Sequence, residues 1–373
     1  SRSNLQKWAK IMADRSIPSA EAIVRILERA RWAPSGDNTQ PWRFQIVAGD
    51  KVIVHGHDTR DEILYDFDGH ASHMAHGALL ETMRIAASVE GLAMTWSAQA
   101  DDEYRKIQYV VSFESASDIA PDPLAPYIET RTVQRRPMRL APLSDMQRQA
   151  LIEASGEQYR LQFFESFQER KKIAGLLWDN AYIRLTCPEA FEVHKNIIEW
   201  GARFSKDRIP EQAVGVDPMT AKLMRWVMAS WARVRFFNRY LMGTVAPRVQ
   251  LDFLPALLCS AHLLIRPHRA PESLEDWVAL GGVMQRVWLT ATRVGLLLQP
   301  EMTPVIFRWY ARARRGFSAD ASFAARCAAL ANQFELVAGA SEDEPFGFFC
   351  RIGISSQPDS RSLRLELAEL IRD

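Results

Sequence analysis

The sequence predicts an α+β fold made of two copies of one unit. With 373 residues, the chain is longer than one domain of about 150 residues and leaves room for two. Near its start, a helical pattern leads through a polar loop into alternating apolar residues, as in a helix followed by a β-hairpin. Two similar stretches bounded by glycines, 77–91 and 281–295, then occur 204 positions apart. Their spacing is too long for a solenoid repeat and favours two copies of one domain over chance likeness between amphipathic helices.

The elements of the first copy follow in order. A helix is predicted over 19–31, ending before Pro34, by four apolar residues at helical spacing: Ile23, Ile26, Leu27 and Ala30. Residues 34–41 form a loop, after which WRFQIV and KVIVHG flank the turn-forming Gly49-Asp50 and predict a hairpin. A long helix over 72–91 and a strand over 107–113 complete the copy.

The second copy begins after a linker. Residues 114–130 carry three prolines and four acidic residues, which places the boundary near 128 and predicts units of 1–128 and 129–373. The stretch 281–295 is the counterpart of 77–91, and 346–354 is a strand candidate like 107–113. The second unit is longer, and its excess predicts a helical insert at about 187–250.

Within that insert, KLMRWVMASWARVRFFNRYL mixes aromatic residues with five cations. An element that binds nucleic acid or a membrane surface would need a basic face separate from its apolar face. The five cations do not fall on one narrow face. This pattern favours a packing helix whose arginine stems cover apolar surface, or a lid over a pocket.

Composition excludes several classes of protein. The 46 basic and 45 acidic residues give a net charge of +1, which argues against a global electrostatic grip on nucleic acid or on an anionic membrane. Four dispersed cysteines without a C-x-x-C pair favour a reducing compartment over a disulfide framework or a structural metal. The first 16 residues lack a secretory apolar region, and no apolar run approaches the ~20 residues of a membrane span, so a cytoplasmic location is expected.

Common catalytic motifs are absent from the sequence, including the P-loop, G-x-G-x-x-G, G-x-S-x-G and H-E-x-x-H. The run DGHASHMAH places His70, His73 and His76 three residues apart. Zinc binding is one interpretation, but solvated or helix-capping histidines are favoured, and no metal site is predicted. No catalytic acid or base is identified.

Two groups of polar residues remain as candidate binding residues. Ser35, Asn38 and Gln40 lie in PSGDNTQPWRF, where they suit the polar edge of a planar heterocycle or simply form the turn. Arg131 and Arg135 are four residues apart and suit a phosphate clamp or a solvated basic run. Arg361 and Arg364 would join the same clamp.

These residues carry a family resemblance. ERARWAPSGDNTQPWRFQIV resembles the signature of FMN-dependent nitroreductases, in which Pro-Ser-x-x-Asn-x-Gln-Pro-Trp links a helix to an edge strand. RTVQRRPM resembles that family's phosphate-binding Arg-x-Ser-x-Arg, with Val133 in place of the serine. The helix 281–295 followed by LLLQPEM resembles the turn beside the flavin, and SRSLR at 360–364 resembles the C-terminal basic pair.

The resemblance implies repeats that each contain a mainly antiparallel sheet flanked by helices. Such proteins are usually dimers, with FMN bound between subunits. Here the loop occurs only in the first unit, because IEASGEQYRLQFF stands at its place in the second unit, and the arginine cluster occurs only in the second. One chain would therefore mimic the dimer and hold a single hybrid FMN site. The implied cofactor-binding residues are Ser35, Asn38, Gln40, Arg131, Arg135, Gln299, Pro300, Arg361 and Arg364.

The function implied is an FMN-binding oxidoreductase that transfers hydride from NAD(P)H to a small organic acceptor. Alternatives are a protein that sequesters flavin behind the insert, an oxygen-using flavin enzyme, and an interaction module without flavin. The expected partner is a small-molecule substrate, with no nucleic acid and no membrane. The chain would be a monomeric pseudo-dimer, or a higher oligomer assembled through the insert.

Overall fold

The computed structural model describes residues 18–372, which contain two four-stranded antiparallel sheets. In the first half of the chain the strands are β1 (Trp42–Ala48), β2 (Lys51–His57), β3 (Leu92–Ala100) and β4 (Lys106–Ser115). Those of the second half are β5 (Tyr159–Phe164), β6 (Ile198–Glu199), β7 (Phe204–Ser205), β8 (Ile209–Pro210), β9 (Ala261–Pro267), β10 (Leu297–Pro300), β11 (Phe348–Gly353) and β12 (Arg361–Ser362). The sheet orders are β1-β2-β4-β3 and β5-β9-β11-β10, while β6 pairs with β8 and β7 with β12 in parallel.

Helices flank both sheets. In chain order they are α1 (Ala20–Ala30), α2 (His70–Val89), α3 (Asp145–Ser155), α4 (Phe167–Thr186), α5 (Pro188–Ile197), α6 (Pro218–Val227), α7 (Trp231–Tyr240), α8 (Val245–Arg248), α9 (Leu254–Leu257), α10 (Leu274–Arg293), α11 (Thr303–Arg312), α12 (Ser322–Ala338) and α13 (Leu367–Leu370). The predicted α+β class with antiparallel sheets is confirmed. Helix α1 begins after Ser19, whose Oγ accepts a hydrogen bond from the backbone N–H of Ala22.

The two sheets share one connection pattern. Each is reached by a helix (α1 or α3), a first and a second strand, a long helix (α2 or α10), and two more strands. In both sheets the fourth strand lies between the second and the third. We call residues 18–128, which contain α1 to β4, the first unit, and residues 129–372, which contain α3 to β11, the second unit. Their matched order supports the predicted pair of copies; the first 17 residues of the predicted unit 1–128 lie outside the described residues.

The units meet where α2 crosses α10. Gly77 and Gly281 lie at the crossing, and a Cβ built on either would come within 1.9 Å of a backbone oxygen of the other helix. For Gly77 that oxygen belongs to Val278, and for Gly281 it belongs to Met74. Adding 204 to Gly77 gives Gly281, and subtracting 204 from Val278 gives Met74, so the two contacts are equivalent. A two-fold axis between two copies of one unit would produce such a pair. The glycines let the two backbones touch.

The second unit is enlarged at two of its strand connections. Residues 49–50 link β1 to β2, but the corresponding β5-to-β9 connection holds α4 to α9 and three short strands. Helices α11 and α12 fill the link from β10 to β11, where the first unit has a short turn. We call the whole β5-to-β9 connection, residues 165–260, the insertion; it extends beyond the predicted 187–250 on both sides. Its basic aromatic stretch is two helices, α6 and α7, because the helical pattern is interrupted at 228–230.

The C-terminal tail of the second unit packs on the first unit. Ile371 forms a parallel bridge with Phe44 of β1, and Leu367 and Leu370 are buried in the core of the first sheet. All four cysteines are buried and unpaired. No helix within residues 18–372 is long and apolar enough to cross a bilayer.

Candidate functional site

A cavity of about 430 Å³ lies between the two units. The first unit contributes the loop at 34–38 and the start of α2, where Ala71, Met74 and Ala75 face the cavity. The second unit contributes Met284 and Trp288 of α10, the segment 131–135 and the end of β10. Helices of the insertion and the tail at 361–364 complete the wall. Of the nine residues predicted to bind cofactor, only Gln40 does not line this cavity.

The loop at 34–40 has a strained backbone that sets its side chains. Asp37, Asn38 and Gln40 have φ values of 51°, 62° and 48°, in the left-handed region that non-glycine residues rarely adopt. The Ser35 Oγ accepts a hydrogen bond of 2.9 Å from the Gln40 N–H. These constraints leave Ser35 and Asn38 on the cavity wall.

The amides of Asn38 and Gln40 hold the loop in place. The Asn38 Nδ2 donates to the carbonyls of Lys206 and Leu363, while its buried Oδ1 has no partner among the described residues. The Gln40 Nε2 donates to the Lys206 carbonyl, and its Oε1 accepts from the Leu365 N–H. Gln40 is fully buried, so its position is that of a residue that supports the loop rather than contacts a ligand.

Three arginines of the second unit converge at one end of the cavity. Arg131 and Arg364 are only 3% and 7% exposed, and both donate to the Trp32 carbonyl at the end of α1. Arg361 donates to the carbonyls of Glu129 and Arg131. The Arg131 guanidinium also lies 4.4 Å from the centre of the Trp288 ring. In the described part of the chain, none of the three has a carboxylate within 4.0 Å, although the more distant Glu129 partly offsets the charge of Arg361.

Burial and mutual repulsion lower the pKa values of this cluster. The pKa of Arg131 falls well below its usual value because of burial and the nearby charges of Arg364 and Arg361. Burial, Arg361 and Arg31 lower the pKa of Arg364 to about 9. Guanidinium groups rarely show such shifts. An anion placed among the three would remove the repulsion, so the geometry suits a phosphate.

Arg135 lies apart from the other three arginines. Residues 131–135 are not helical, and Val133 between the two arginines forms a parallel bridge with Leu298, so Arg131 and Arg135 do not share a helix face. Arg135 donates to the Ala213 carbonyl, and burial, opposed by the charge of Asp37, lowers its pKa to about 10. The expected clamp of four arginines is thus corrected: three cluster, and Arg135 faces the 34–40 loop.

A buried ionic network supports the end of β10 beneath the cavity. The Glu301 carboxylate contacts His262 Nδ1 at 2.7 Å and accepts from Arg351 Nη1 at 2.9 Å. Arg351 also donates to the Arg135 carbonyl. Burial lowers the pKa of His262, but the Glu301 charge, together with hydrogen bonds to Glu301 and to the Cys259 sulfur, outweighs it and raises the pKa to about 10. The network fixes Glu301 next to Gln299 and Pro300; the Gln299 Oε1 is buried without a partner among residues 18–372.

The insertion side of the cavity holds polar groups that sequence reasoning missed. Tyr65 Oη contacts His194 Nε2 at 3.1 Å, and Arg184 donates to Asp252 at 2.6 Å. Burial raises the pKa of Asp252 to about 6, although Arg184 opposes the shift. Apolar residues surround them: Leu177, Leu185, Met224, Met228 and Leu251. These residues lie far apart in sequence, and none belongs to a recognisable motif.

The three histidines of α2 are not solvated, which corrects the sequence-based interpretation. His76 is buried between the Pro41 carbonyl and the Tyr109 hydroxyl, at 2.8 and 3.0 Å. His70 stacks on Trp277 with ring centres 3.7 Å apart. Burial lowers the pKa of both, and of His73. Among residues 18–372 no three His, Cys, Asp or Glu side chains form a metal-binding group.

Comparison with known proteins agrees with the loop motif. The profile of the nitroreductase family matches residues 12–66, which include the 34–40 loop. Residues 12–66 are thus similar to the nitroreductase family. This confirms the resemblance on which the cofactor prediction rests, although residues 12–17 lie outside the described part of the chain. No curated protein matches the sequence.

Several solved structures show a low overall similarity to this chain. The FMN-dependent nitroreductase NfnB from Mycobacterium smegmatis, in complex with NADPH, is 13% identical, with 66% of this chain and 96% of that chain covered and a TM-score of 0.36. The FMN- and NADPH-dependent NfnB from Sphigopyxis sp. strain HMH is 15% identical, covering 67% and 97%, with a TM-score of 0.36. Iodotyrosine deiodinase bound to FMN and 3-iodo-L-tyrosine is 10% identical, covering 65% and 95%, with a TM-score of 0.34. Such low scores leave the ligand and reaction of this chain to be argued from its own cavity.

Proposed function

We propose that this chain is an FMN-dependent oxidoreductase that transfers hydride from NAD(P)H to a small organic acceptor. The observation that carries the proposal is the cluster of Arg131, Arg361 and Arg364, in one cavity with the loop of the segment that is similar to the nitroreductase family. A dianionic phosphate with a planar ring system attached would satisfy both ends. The cavity wall comes from both units, which supports one hybrid site in a chain divided into 1–128 and 129–373.

Unsatisfied buried atoms around the cavity fit such a cofactor. Arg131 and Arg361 each have a buried Nε without a partner in the described residues, and both line the cavity. At the other end, Asn38 Oδ1 and Gln299 Oε1 are likewise unsatisfied. Buried polar atoms normally have partners, so these four favour a ligand with acidic oxygens at one end and ring N–H groups at the other.

Each part of the wall has a distinct task in this proposal. The three arginines hold the phosphate, and Ser35, Asn38 and Gln299 orient the polar edge of the ring. Bound FMN supplies the hydride chemistry, which side chains lack. Glu301 and His262 keep Gln299 and Pro300 in place, while the insertion helices exclude water. Arg184, Asp252, Tyr65 and His194 contact the acceptor.

Absorbance and anaerobic reduction test the proposal. Purified protein reconstituted with FMN should show flavin bands that bleach when NADH or NADPH is added without oxygen. Arg131→Gln and Arg364→Gln should each weaken FMN binding by at least ~10-fold, because each removes a charge-assisted hydrogen bond to phosphate. Arg139→Gln removes an exposed cation outside the cavity and should leave FMN affinity unchanged. A chain that binds no FMN would contradict the proposal.

Flavin sequestration is a second candidate function. The insertion reaches across the cavity, and the backbone carbonyls of Lys206 and Arg208 hold Asn38 from that side. Such a closed wall would retain FMN and exclude a nicotinamide. In that case the bound flavin would stay oxidised under anaerobic NADH and NADPH yet bleach with dithionite, an outcome that separates storage from turnover.

A further inference from the structure

The two helices α6 and α7 of the insertion carry an unusual concentration of exposed apolar side chains. Met219, Leu223 and Trp226 of α6 are 80%, 48% and 51% exposed. Exposed apolar residues continue through α7 and directly after it, and we call the whole set the apolar-basic face: Met219, Leu223, Trp226, Phe236, Tyr240, Leu241 and Met242. Isolated exposed apolar residues are ordinary, whereas a contiguous set marks an interaction site.

The geometry of the helices makes these residues one surface. On α6 they occupy positions i, i+4 and i+7 (219, 223 and 226), with Lys222 between them. On α7, Phe236 and Tyr240 are four residues apart and their rings lie 5.2 Å from each other. Trp226 contacts Phe237 at 5.7 Å and joins the two helices.

Charge distinguishes this surface from the rest of the chain. Residues 218–251 contain six cations and no aspartate or glutamate, in a protein with a net charge of only +1. Five of the cations have no ion pair within the described residues: Lys222, Arg225, Arg233, Arg235 and Arg239. Arg235 and Arg239 flank Phe236 and Tyr240 on the exposed side of α7.

We propose that the apolar-basic face docks on the surface of an anionic lipid bilayer. Trp, Phe, Leu and Met side chains would enter the boundary between headgroups and acyl chains, while Lys and Arg contact lipid phosphates. Long arginine stems let the charged groups stay at headgroup level beside inserted apolar residues. A separately segregated basic face is therefore unnecessary. The expectation of no membrane partner rested on the net charge of the whole chain and on the spread of the five cations around the helical stretch. A bilayer meets only this face, and the reach of the arginine stems removes the need for a narrow basic face.

Two other occupants fit the face less well. A second copy of the chain docked by the same face would bring two sets of unpaired cations together, at a cost in repulsion. Single-stranded nucleic acid would use the aromatic rings and arginines but would leave Met219, Leu223, Leu241 and Met242 in water. Of these three occupants, only a bilayer uses both the aliphatic and the cationic residues.

The opposite side of α6 lines the cavity through Met224, and Met228 follows directly after the helix. Docking would therefore place this wall of the cavity beside the bilayer. The proposal stands on the exposed surface alone and does not depend on FMN or on any reaction in the cavity.

Vesicle sedimentation with the full chain tests this proposal. We expect the protein to bind vesicles of phosphatidylcholine and phosphatidylglycerol in equal parts, and to bind pure phosphatidylcholine much more weakly. The triple variant Lys222→Gln, Arg235→Gln, Arg239→Gln should bind the anionic vesicles ~100-fold more weakly, at about fivefold for each cation. The matched control, Lys51→Gln, Lys106→Gln, Lys171→Gln, removes the same charge from other exposed positions and should bind like the parent.

A second measurement reports insertion itself. The tryptophan emission of the chain should shift to the blue on anionic vesicles, and this shift should be lost in Trp226→Phe, which keeps the other ten tryptophans. Unchanged circular dichroism and melting of each variant confirm folding. Equal binding to neutral and anionic vesicles, or equal loss in the control triple, would overturn the proposal. Two other results, each in the absence of vesicle binding, would also overturn it. One is a dimer, seen by sedimentation, that the triple variant of the apolar-basic face disrupts; the other is tight binding of a single-stranded oligonucleotide.

Discussion

At the scale of single residues, the three clustered arginines are the most informative feature of the molecule. A buried charge is normally paired, because its desolvation costs several kcal/mol (roughly) in real proteins. Arg131 and Arg364 instead donate to backbone carbonyls of the first unit and repel each other. A bound anion would therefore stabilise both side chains in these positions. Without an anion, the repulsion should lower the free energy of unfolding of the protein.

The pH dependence of stability tests whether the unpaired charge of Arg364 destabilises the ligand-free protein. Burial, with the charges of Arg361 and Arg31, lowers its pKa in the folded state to about 9, whereas in the unfolded chain the pKa keeps its ordinary, higher value. Above pH 9 the unfolded state thus binds more protons than the folded state, and by linkage the free energy of unfolding rises with pH. Relative to Arg364→Gln, the ligand-free parent should gain up to ~1.4 kcal/mol per pH unit above this pH, measured by urea unfolding. A pH-independent difference would contradict the shift.

The network around Glu301 predicts a large loss from one small change. Glu301→Gln leaves Arg351 without its buried counter-ion and removes the partner that raises the pKa of His262. Removing one member of a buried pair costs about 3–5 kcal/mol, and urea unfolding should show a loss of this size. The matched control is Asp61→Asn, since Asp61 pairs with Arg105 at the surface and its side chain is 73% exposed. That change should cost about 1 kcal/mol or less.

At the scale of elements, the crossing of α2 and α10 holds the two units together. The helices approach closely only because Gly77 and Gly281 lack side chains. Beside the crossing, Gln285 Nε2 donates to Thr82 Oγ1 in the buried interface. Both glycines are thus essential for a different reason from glycines in turns: helix packing, rather than backbone conformation, selects them.

Two neighbouring glycines of α10 provide a matched test. Gly281→Ala would place a Cβ 1.9 Å from the Met74 carbonyl oxygen, so the helices must separate, at a cost of about 3 kcal/mol or more. Gly282→Ala puts its Cβ at an ordinary 3.6 Å from Glu81 Cβ and should stabilise the helix by up to ~1 kcal/mol. Thermal unfolding of both variants distinguishes them. A similar effect of the two changes would refute the close contact.

Local sequence patterns predicted only some of the elements, for physical reasons. Helix α1, helix α2 and the β1–β2 hairpin follow regular apolar periodicity and were placed within two residues of their ends. Strand β9 is not predicted from the sequence, because all seven of its residues are buried and show no alternation of apolar and polar side chains. The candidate site shows the same contrast between local and long-range features. Its loop motif is a local pattern that can be recognised in the sequence. The Glu301 network joins residues 39 and 50 positions apart, which no local pattern reports.

At the scale of the whole molecule, the two units are alike in strand order but unequal in what they contribute to the cavity. The first supplies the 34–38 loop, and the second supplies the arginines and the end of β10. At the equivalent place in the second unit, α3 passes into β5 through residues 156–158 alone. That turn has no room for a counterpart of the polar loop. Residues 116–128, which follow β4 as 361–364 follow β11, contain no lysine or arginine.

This asymmetry predicts one FMN per chain. Titration of the full chain with FMN, followed by flavin fluorescence quenching, should saturate at a single equivalent. Ser35→Ala combined with Asn38→Leu in the first unit, and Arg364→Gln in the second, should weaken that same binding event, because both halves build one site. If the site were duplicated, each set of changes would abolish one of two equivalents and spare the other. Saturation at two equivalents would therefore contradict the hybrid site while leaving flavin binding intact.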